Sequence, residues 1–462
     1  MSNLFIYIIY ILYTANIGKV LDNSCTDERK AIVLYEISEA MRQKEEATER
    51  QTYYTHTLAC GIRIICAQCP TQVIYAGIAV DAGTRDETEQ ESGMAHFTEH
   101  MCFKGTPRLS SRQVSARMES VGGDLNAYTG QEETVYYSIF LKQHLHRAIH
   151  LLADMVLPSC FPQEEMNKEA EVVAEEIESY NDQPSELIYD EFESLIFGQH
   201  PLGRNILGNT ENLRRYQTAH MQAFHRRMYR PQRMVLFVYG QADPTTVFRL
   251  AEREIEQLGI TPATEEPAPR LAPLCNLTPQ EPVLRRRKDT HQAHVLLGAP
   301  SYAATNPRHT HMFMLSNLLG GPCMSSRLNV ALREQHGLVY TVESNSSCHT
   351  DAGLWCIYFG CDQKDVTRCL RLVRRELKRL TDAPLSPRAL KALKRQLKGQ
   401  IGVAGDNYES TAIGMAKRYL HYGTTRTTQQ TFELIDAVTA HDLQQTAQEI
   451  FLPERLQTLI YE

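Results

Sequence analysis

A near-constant offset between two stretches of this chain narrows the folds open to it more than any other feature. Thr218-Ala219-His220 precedes Tyr229-Arg230-Pro231-Gln232-Arg233-Met234-Val235-Leu236-Phe237-Val238, and Thr439-Ala440-His441 precedes Phe451-Leu452-Pro453-Glu454-Arg455-Leu456-Gln457-Thr458-Leu459-Ile460. Thr218 and Thr439 lie 221 residues apart, and Pro231 and Pro453 lie 222 apart. Each copy reads as a polar helix, a proline break and a β-rich run that closes a unit. Such a period is far too long for a solenoid. It predicts a domain-sized fold written twice, which suits 462 residues, too many for one hydrophobic core.

The expected boundaries follow. Residues 53–260 form the first copy, and residues 283–462 form a degenerate second copy that restarts with the strand-like Ala293-His294-Val295-Leu296-Leu297-Gly298. Between them, residues 261–282 carry six prolines and few large apolar side chains, the composition of an extended linker. Residues 1–52 are an N-terminal extension outside the core. Within each copy, strands and helices interleave with hairpin-like pairs, so the fold class is α+β: two tandem α/β sandwiches, not a parallel doubly wound sheet.

Chemistry concentrates in His96-Phe97-Thr98-Glu99-His100. On a helix the two histidines stand at i and i+4 on one face, where both imidazoles can hold a divalent metal. Zinc is the usual ion for nitrogen-rich sites kept open for catalysis. Glu99 shares that face and can take a proton from a water polarised by the ion. The order H-x-x-E-H is the inverse of the H-E-x-x-H metalloprotease motif. The second copy has no such motif. His309 and His311 fall near the equivalent place, but their i, i+2 spacing puts them on different faces.

A catalytic zinc takes a third protein ligand. The run from Glu164 to Glu178 reads as a helix with Met166, Ala170, Val173 and Ile177 on one apolar stripe, so most of its glutamates form a solvated face. Glu169 and Glu176 are two turns apart and share a face. One can bind the metal while the other orients a ligand from behind. The pattern does not say which does which, and Glu175 competes.

Together these residues resemble the pitrilysin family of zinc peptidases, in the short-chain branch that includes the mitochondrial processing peptidase and its bacterial relatives. The resemblance rests on Gly93-Met94-Ala95-His96-Phe97-Thr98-Glu99-His100-Met101, Phe103-Lys104-Gly105-Thr106, Asn126-Ala127-Tyr128-Thr129, Glu169 and Glu176 before Asp182-Gln183-Pro184, and His200-Pro201-Leu202-Gly203. It runs from about Tyr53 to the C-terminus. It implies a half-clamshell built from the two sandwiches and one zinc per chain, held by His96, His100 and Glu176, with Glu169 in support. It also implies that Glu99 activates the water and returns its proton to the leaving amine. The strand bearing Asn126 and Ala127 is the one that pairs with an extended substrate in that family.

In the second copy, Ser325 to Gln335 reads as a helix ended by Gly337, and Val339, Tyr340 and Val342 begin a strand. On the residues alone, Arg333 favours the helix dipole and Tyr340 packs on a sheet. Arg333-Glu334-Gln335-His336-Gly337-Leu338-Val339-Tyr340 also resembles the family segment whose Arg and Tyr grip the substrate and stabilise the scissile oxyanion. In short-chain members these residues arrive from a partner, and in some pairs two subunits divide the motifs. This chain keeps both, which implies a homodimer, with a heterodimer as the other arrangement. The activity implied is a zinc metalloendopeptidase acting on short or unfolded polypeptides in an enclosed chamber. The alternative is a non-catalytic peptide-binding or assembly subunit, whose signature would be a lost ligand or base. Every one of those positions is intact.

The net charge of −7 gives no reason to expect nucleic acid as a partner. The basic run Arg285-Arg286-Arg287-Lys288 reads as surface solubility. Cys66-Ala67-Gln68-Cys69 is a lone C-x-x-C without a second pair, and the cysteine spacing fits reduced thiols in a bacterial-type cytoplasm. Leu4 to Tyr13 is apolar but too short to span a bilayer and has no basic residue before it, and Cys25 lacks a lipoprotein cleavage setting. No stable membrane insertion is expected, and Met41 offers a second start point.

Overall fold

Alternating and continuous apolar runs produce two sheets in this computed structural model, which describes residues 52–158, 160–261, 279, 281–288 and 290–462. Most of the proline-rich linker, and the calls on Leu4 to Tyr13, Cys25 and Met41, lie outside the described residues. The first sheet holds β1 (Tyr53–Thr57), β2 (Arg63–Ala67), β3 (Val73–Val80), β4 (Asp124–Thr129), β5 (Thr134–Leu141) and β6 (Met234–Tyr239) in the order β1-β2-β6-β3-β5-β4. The second holds β7 (Val283–Arg286), β8 (Ala293–Ser301), β9 (Val339–Cys348), β10 (Gly353–Cys361) and β11 (Gln457–Tyr461) in the order β7-β11-β8-β10-β9.

Removing β1 makes the two orders the same, and the pairing repeats as well. Only β2–β6 and β7–β11 run parallel, and every other neighbouring pair is antiparallel. Close approach of the backbones recurs too: a Cβ on Gly77 would collide with the Tyr136 carbonyl oxygen of β5, and one on Gly298 with the Trp355 carbonyl oxygen of β10. Those two glycines are again 221 residues apart. The duplication seen in the sequence is a duplication of topology, two tandem α/β sandwiches.

Fourteen helices flank these sheets among the described residues: α1 (Met94–Cys102), α2 (Ser111–Glu119), α3 (Leu145–Val156), α4 (Gln163–Asn181), α5 (Pro184–Phe197), α6 (Thr210–Arg215), α7 (Thr218–Met228), α8 (Pro244–Glu256), α9 (His309–Gly320), α10 (Val366–Asp382), α11 (Pro387–Ala404), α12 (Tyr408–Tyr422), α13 (Thr428–Ala437) and α14 (Ala440–Ile450). None is long and apolar enough to cross a membrane. The interior strands β6, β10 and β11 are buried along their whole length, as strands covered on both faces must be.

The covering helices are exchanged between the halves. One face of the first sheet packs on its own helices, but Ile65, Val135, Val235 and Phe237 on the other face meet Ala412, Met415 and Leu420 of α12, from the second half. Reciprocally, Ile188, Phe192 and Ile196 of α5 cover Leu296, Leu354, Tyr358 and Leu459 of the second sheet. Phe192 is fully buried there. Phe192→Ala should therefore cost about 3–5 kcal/mol, the usual penalty for emptying a buried phenylalanine site. A thermal melt should show the whole of residues 53–462 losing stability together, not the first half alone.

Polar clasps join the halves at the turn between β4 and β5. The Arg85 guanidinium, buried between β3 and α1, pairs with Glu132 at 2.5 Å and with Asp351 at 2.8 Å. Glu132 also accepts from the Thr350 backbone N–H and hydroxyl. The next residue, Glu133, meets Lys417 at 2.5 Å and His421 at 3.0 Å on α12. Breaking such a buried pair from one side leaves an uncompensated charge, so the hairpin tip is firmly held.

One local expectation needs correction. The Ser325 to Gln335 segment is not a plain α-helix but contains a π-type coil over Asn329–Glu334. The Gln335 N–H reaches back to the Val330 carbonyl, while His336 Nδ1 takes the Ala331 carbonyl at 2.7 Å. The histidine ring thus occupies an acceptor that the α-helical ladder would have used. Gly337 then closes the turn at φ +59°.

Candidate metal centre and peptide-binding edge

Helix α1 is set down by a buried carboxylate. Glu87 accepts from the backbone N–H groups of Gly93 at 3.1 Å and Ala95 at 2.7 Å, the first turn of the helix, where unpaired donors and the dipole favour an anion. Gly93 takes the left-handed conformation, φ +87°, that lets the chain enter α1 so tightly. Burial nevertheless pushes the Glu87 carboxyl up to about 8, against those N–H bonds.

With α1 so fixed, His96 and His100 face α4. His96 Nε2 lies 3.8 Å from Glu176 Oε1, and His100 Nε2 lies 3.6 Å from Glu176 Oε2. One ligand atom from each of the three residues falls within 4.8 Å of the others, the only such cluster of metal-binding side chains found among the described residues. Glu169, one face and two turns earlier on α4, reaches the other nitrogen of His100: Nδ1 to Oε1 is 2.9 Å. Its second oxygen meets Lys104 Nζ at 2.5 Å. Glu175 is exposed and joins neither group.

The residues fit a zinc ion on three counts. With Nδ1–H of His100 directed at Glu169, its Nε2 carries a lone pair that faces a carboxylate oxygen, an arrangement that asks for a cation between them. Ligand atoms of a tetrahedral zinc stand about 3.4 Å apart, close to two of the separations here. Protonation chemistry points the same way. Burial, with the neighbouring His100, pushes His96 down to about 3, so it offers a neutral imidazole. Burial works against charge on His100 too, but Glu169, Glu99 and Glu176 outweigh it and raise its pKa, so the locus attracts positive charge. On Glu169, burial is overcome by the bonds from His100 and Lys104, which hold it below the ordinary carboxylate value.

Glu99 points from the same helix and is buried. Its Oε2 accepts from the Thr129 hydroxyl at 2.6 Å. Burial raises its pKa, and Glu176 adds to the shift, while Thr129 and His100 oppose it. A carboxylate tuned upward beside a metal locus suits general-base work near neutral pH.

Thr129 belongs to β4, the edge strand that carries Asn126 and Ala127. Among the described residues β4 pairs with β5 alone, so its other side presents backbone groups to which an extended peptide can add. Tyr136 of β5 is buried with its hydroxyl 2.8 Å from that of Tyr229, and the Tyr137 hydroxyl donates to Glu409.

Comparison with known proteins turns this geometry into a family. Residues 63–210 match the family model described as insulinase (peptidase family M16), and residues 216–397 match the one described as the peptidase M16 inactive domain. A Bacillus subtilis protein named uncharacterized zinc protease YmxG is 30% identical over 408 residues, covering 88% of this chain and 97% of that protein. An uncharacterized zinc protease of Streptomyces coelicolor is 32% identical over 397 residues, 85% of this chain and 86% of its own. The chain belongs to the M16, or pitrilysin, family of peptidases.

The solved M16-like structures share its fold. A protease from Helicobacter pylori superposes with a TM-score of 0.82 at 22% identity, over 89% of this chain and 99% of that one. An M16 inactive domain from Pseudomonas fluorescens gives 0.79 at 17%, over 89% and 97%. The half-clamshell of two sandwiches expected from the sequence is thus the fold of this M16 chain.

Arg333 and Tyr340 share no cluster or cleft with the metal trio among the described residues. Both line a cleft of about 510 Å³ in the second half, with Phe313, Asn317 and Asn345. Among the described residues neither makes a hydrogen bond or ion pair to His96, Glu99, His100 or Glu176. Tyr340 is 84% exposed on β9, the edge strand of its sheet, so it does not pack on the sheet at all. The C-x-x-C pair joins no cluster of three metal-ligating side chains among the described residues, and burial, with Asp243, pushes the Cys66 thiol up to about 12, far from a reactive thiolate.

Sequence reading gave no role to Lys104, Thr129 or Glu87. Lys104 and Thr129 sit inside quoted motifs, and for Thr129 the strand alternation carried a usable signal: it shares the inward phase of Leu125 and Ala127. Glu87 had none, because its partners are backbone N–H groups.

Proposed function

We propose that this M16 chain is a zinc-dependent metalloendopeptidase that hydrolyses peptide bonds of short or unfolded polypeptides. The convergence of His96, His100 and Glu176, with a buried Glu99 on the same helix, carries the reading. His96, His100 and Glu176 would hold one zinc per chain. When bound, the ion supplies Lewis acidity toward water and the scissile carbonyl. Glu169, clamped by Lys104, keeps His100 oriented so that Nε2 and not Nδ1 faces the ligand cluster. Glu99 removes a proton from the attacking water and returns it to the leaving amine. The backbone of Asn126 and Ala127 binds the substrate as an added strand, which favours extended chains over folded ones and is largely indifferent to side-chain sequence.

Arg333 and Tyr340 are proposed to reach the substrate from a second copy of the chain, a homodimer completing each site in trans. Their place in a cleft of the second half that none of His96, Glu99, His100 and Glu176 lines supports that arrangement, and a heterodimeric partner would supply the same groups. A bacterial-type cytoplasm is the proposed setting.

The test is direct. Purified chain carrying one zinc should hydrolyse a quenched, unstructured peptide of about twenty residues, chosen to span an extended binding edge. Dialysis against a chelator should remove the activity, and stoichiometric zinc should restore it. No turnover by zinc-loaded protein would favour the non-catalytic peptide-binding subunit instead.

A further inference from the structure

We propose that Thr129 is a positioning residue that assigns the two oxygens of Glu99 to different tasks, one to the protein and one to the reacting water. The inference rests on the reading of Glu99 as the base.

The geometry is set by strand pairing. Thr129 closes β4 and stands opposite Thr134 at the start of β5. Directly opposed residues project to the same face of a sheet, so the two hydroxyls lie side by side, 3.4 Å apart. Each threonine has a single hydroxyl proton to give. The Thr134 proton goes to the Ala82 carbonyl at 2.9 Å. Thr134 could therefore only accept from its neighbour, but the 3.4 Å between the two hydroxyls is much longer than the 2.6 Å between Thr129 Oγ1 and Glu99 Oε2. The Thr129 proton is committed to Glu99, in a short charge-assisted bond of the strong kind.

Two consequences follow for Glu99. Its Oε2 is occupied by a fixed donor, while Oε1 has no hydrogen-bond partner among the described residues and is the oxygen left for chemistry. The side chain is also bonded to a residue on an anchored element, since the turn after Thr129 is clasped through Glu132 and Glu133 to the second half. The same strand offers Asn126 and Ala127 to the substrate. Base and peptide are thereby registered against one rigid element, and a one-residue slip of β4 would turn the hydroxyl to the opposite face.

Thr129→Val keeps the shape and removes only the hydroxyl, whereas Thr129→Ser keeps the donor. With both variants at equal zinc content, turnover of the quenched peptide is measured beside wild type and Glu99→Gln. The expected result is a kcat about 10²-fold lower for Thr129→Val, the scale of a roughly 1 Å misplacement of a reacting group. KM and zinc affinity should stay at wild-type values, and Thr129→Ser should recover most of the kcat. A wild-type kcat for Thr129→Val would overturn the proposal. So would a serine variant as impaired as the valine one, or a loss that appears in KM or zinc affinity instead of kcat. Should the valine variant not fold, Thr129→Ala poses the same question against serine. Normal turnover by Glu99→Gln would mean that the base assignment itself is wrong, a failure distinct from an idle Thr129.

Discussion

Glu99→Gln is expected to abolish hydrolysis of an unstructured peptide while leaving zinc content and fold untouched. A positioned general base contributes about 10²–10⁴-fold, and an amide of the same shape cannot take up a proton. The amide oxygen can still accept the Thr129 hydroxyl, so the side chain should keep its place. Stability supplies an independent control. Burial, the largest influence on Glu99, raises its folded-state pKa above the unfolded value. The folded protein therefore binds more protons here than the unfolded chain, and this group costs stability as pH rises through that interval. A neutral amide escapes the cost, so the metal-free variant should melt no lower than wild type at neutral pH and show a flatter dependence as pH rises above the ordinary carboxylate pKa. Loss of turnover with an unchanged or higher melting temperature would identify a chemical defect. Equal turnover by the two proteins would sink the proposed mechanism.

What could be read from the sequence, and what could not, divides along a physical line. The placement of His96, Glu99 and His100 on one face follows from helical period alone, and the structure has them on α1 as that period requires. That a fold is written twice was likewise visible, because the helix, proline break and closing strand recur at a near-constant offset, whereas the shared strand order was not. Periodicity could not separate Glu169 from Glu176, since two turns return both to one face. Burial separates them: Glu169 is sunk against His100 and Lys104, whereas the Glu176 side chain is 45% exposed toward both histidines. Exchange of α5 and α12 was equally hidden. An amphipathic pattern says that Phe192 and Leu420 are buried, not which sheet buries them. The coil at Asn329–Glu334 depended on a side chain, His336, competing for a backbone carbonyl, an event that propensities do not encode.

That separation on α4 yields the second large effect. Glu176→Ala is expected to lower zinc affinity by about 10²-fold or more, because it removes the proposed third ligand and leaves two imidazoles where a catalytic zinc site uses three protein groups. Glu169→Gln should act through His100 instead. The amide can still accept from Nδ1, but it loses the ion pair with Lys104 and the charge that makes His100 more basic. Changes of this kind behind a ligating histidine cost about 10–100-fold in affinity or activity. Glu175→Ala, at an exposed position outside the cluster, should bind zinc as wild type does. Competition titration against a chromophoric chelator ranks all three, and peptide turnover measured across free zinc concentration separates binding from chemistry. Saturating zinc should rescue much of the Glu169→Gln activity, since its ligands are intact, and little of that of Glu176→Ala. The reverse ranking, or a loss in Glu175→Ala with none in Glu176→Ala, would move the third ligand elsewhere on α4 and with it the face on which a substrate is held.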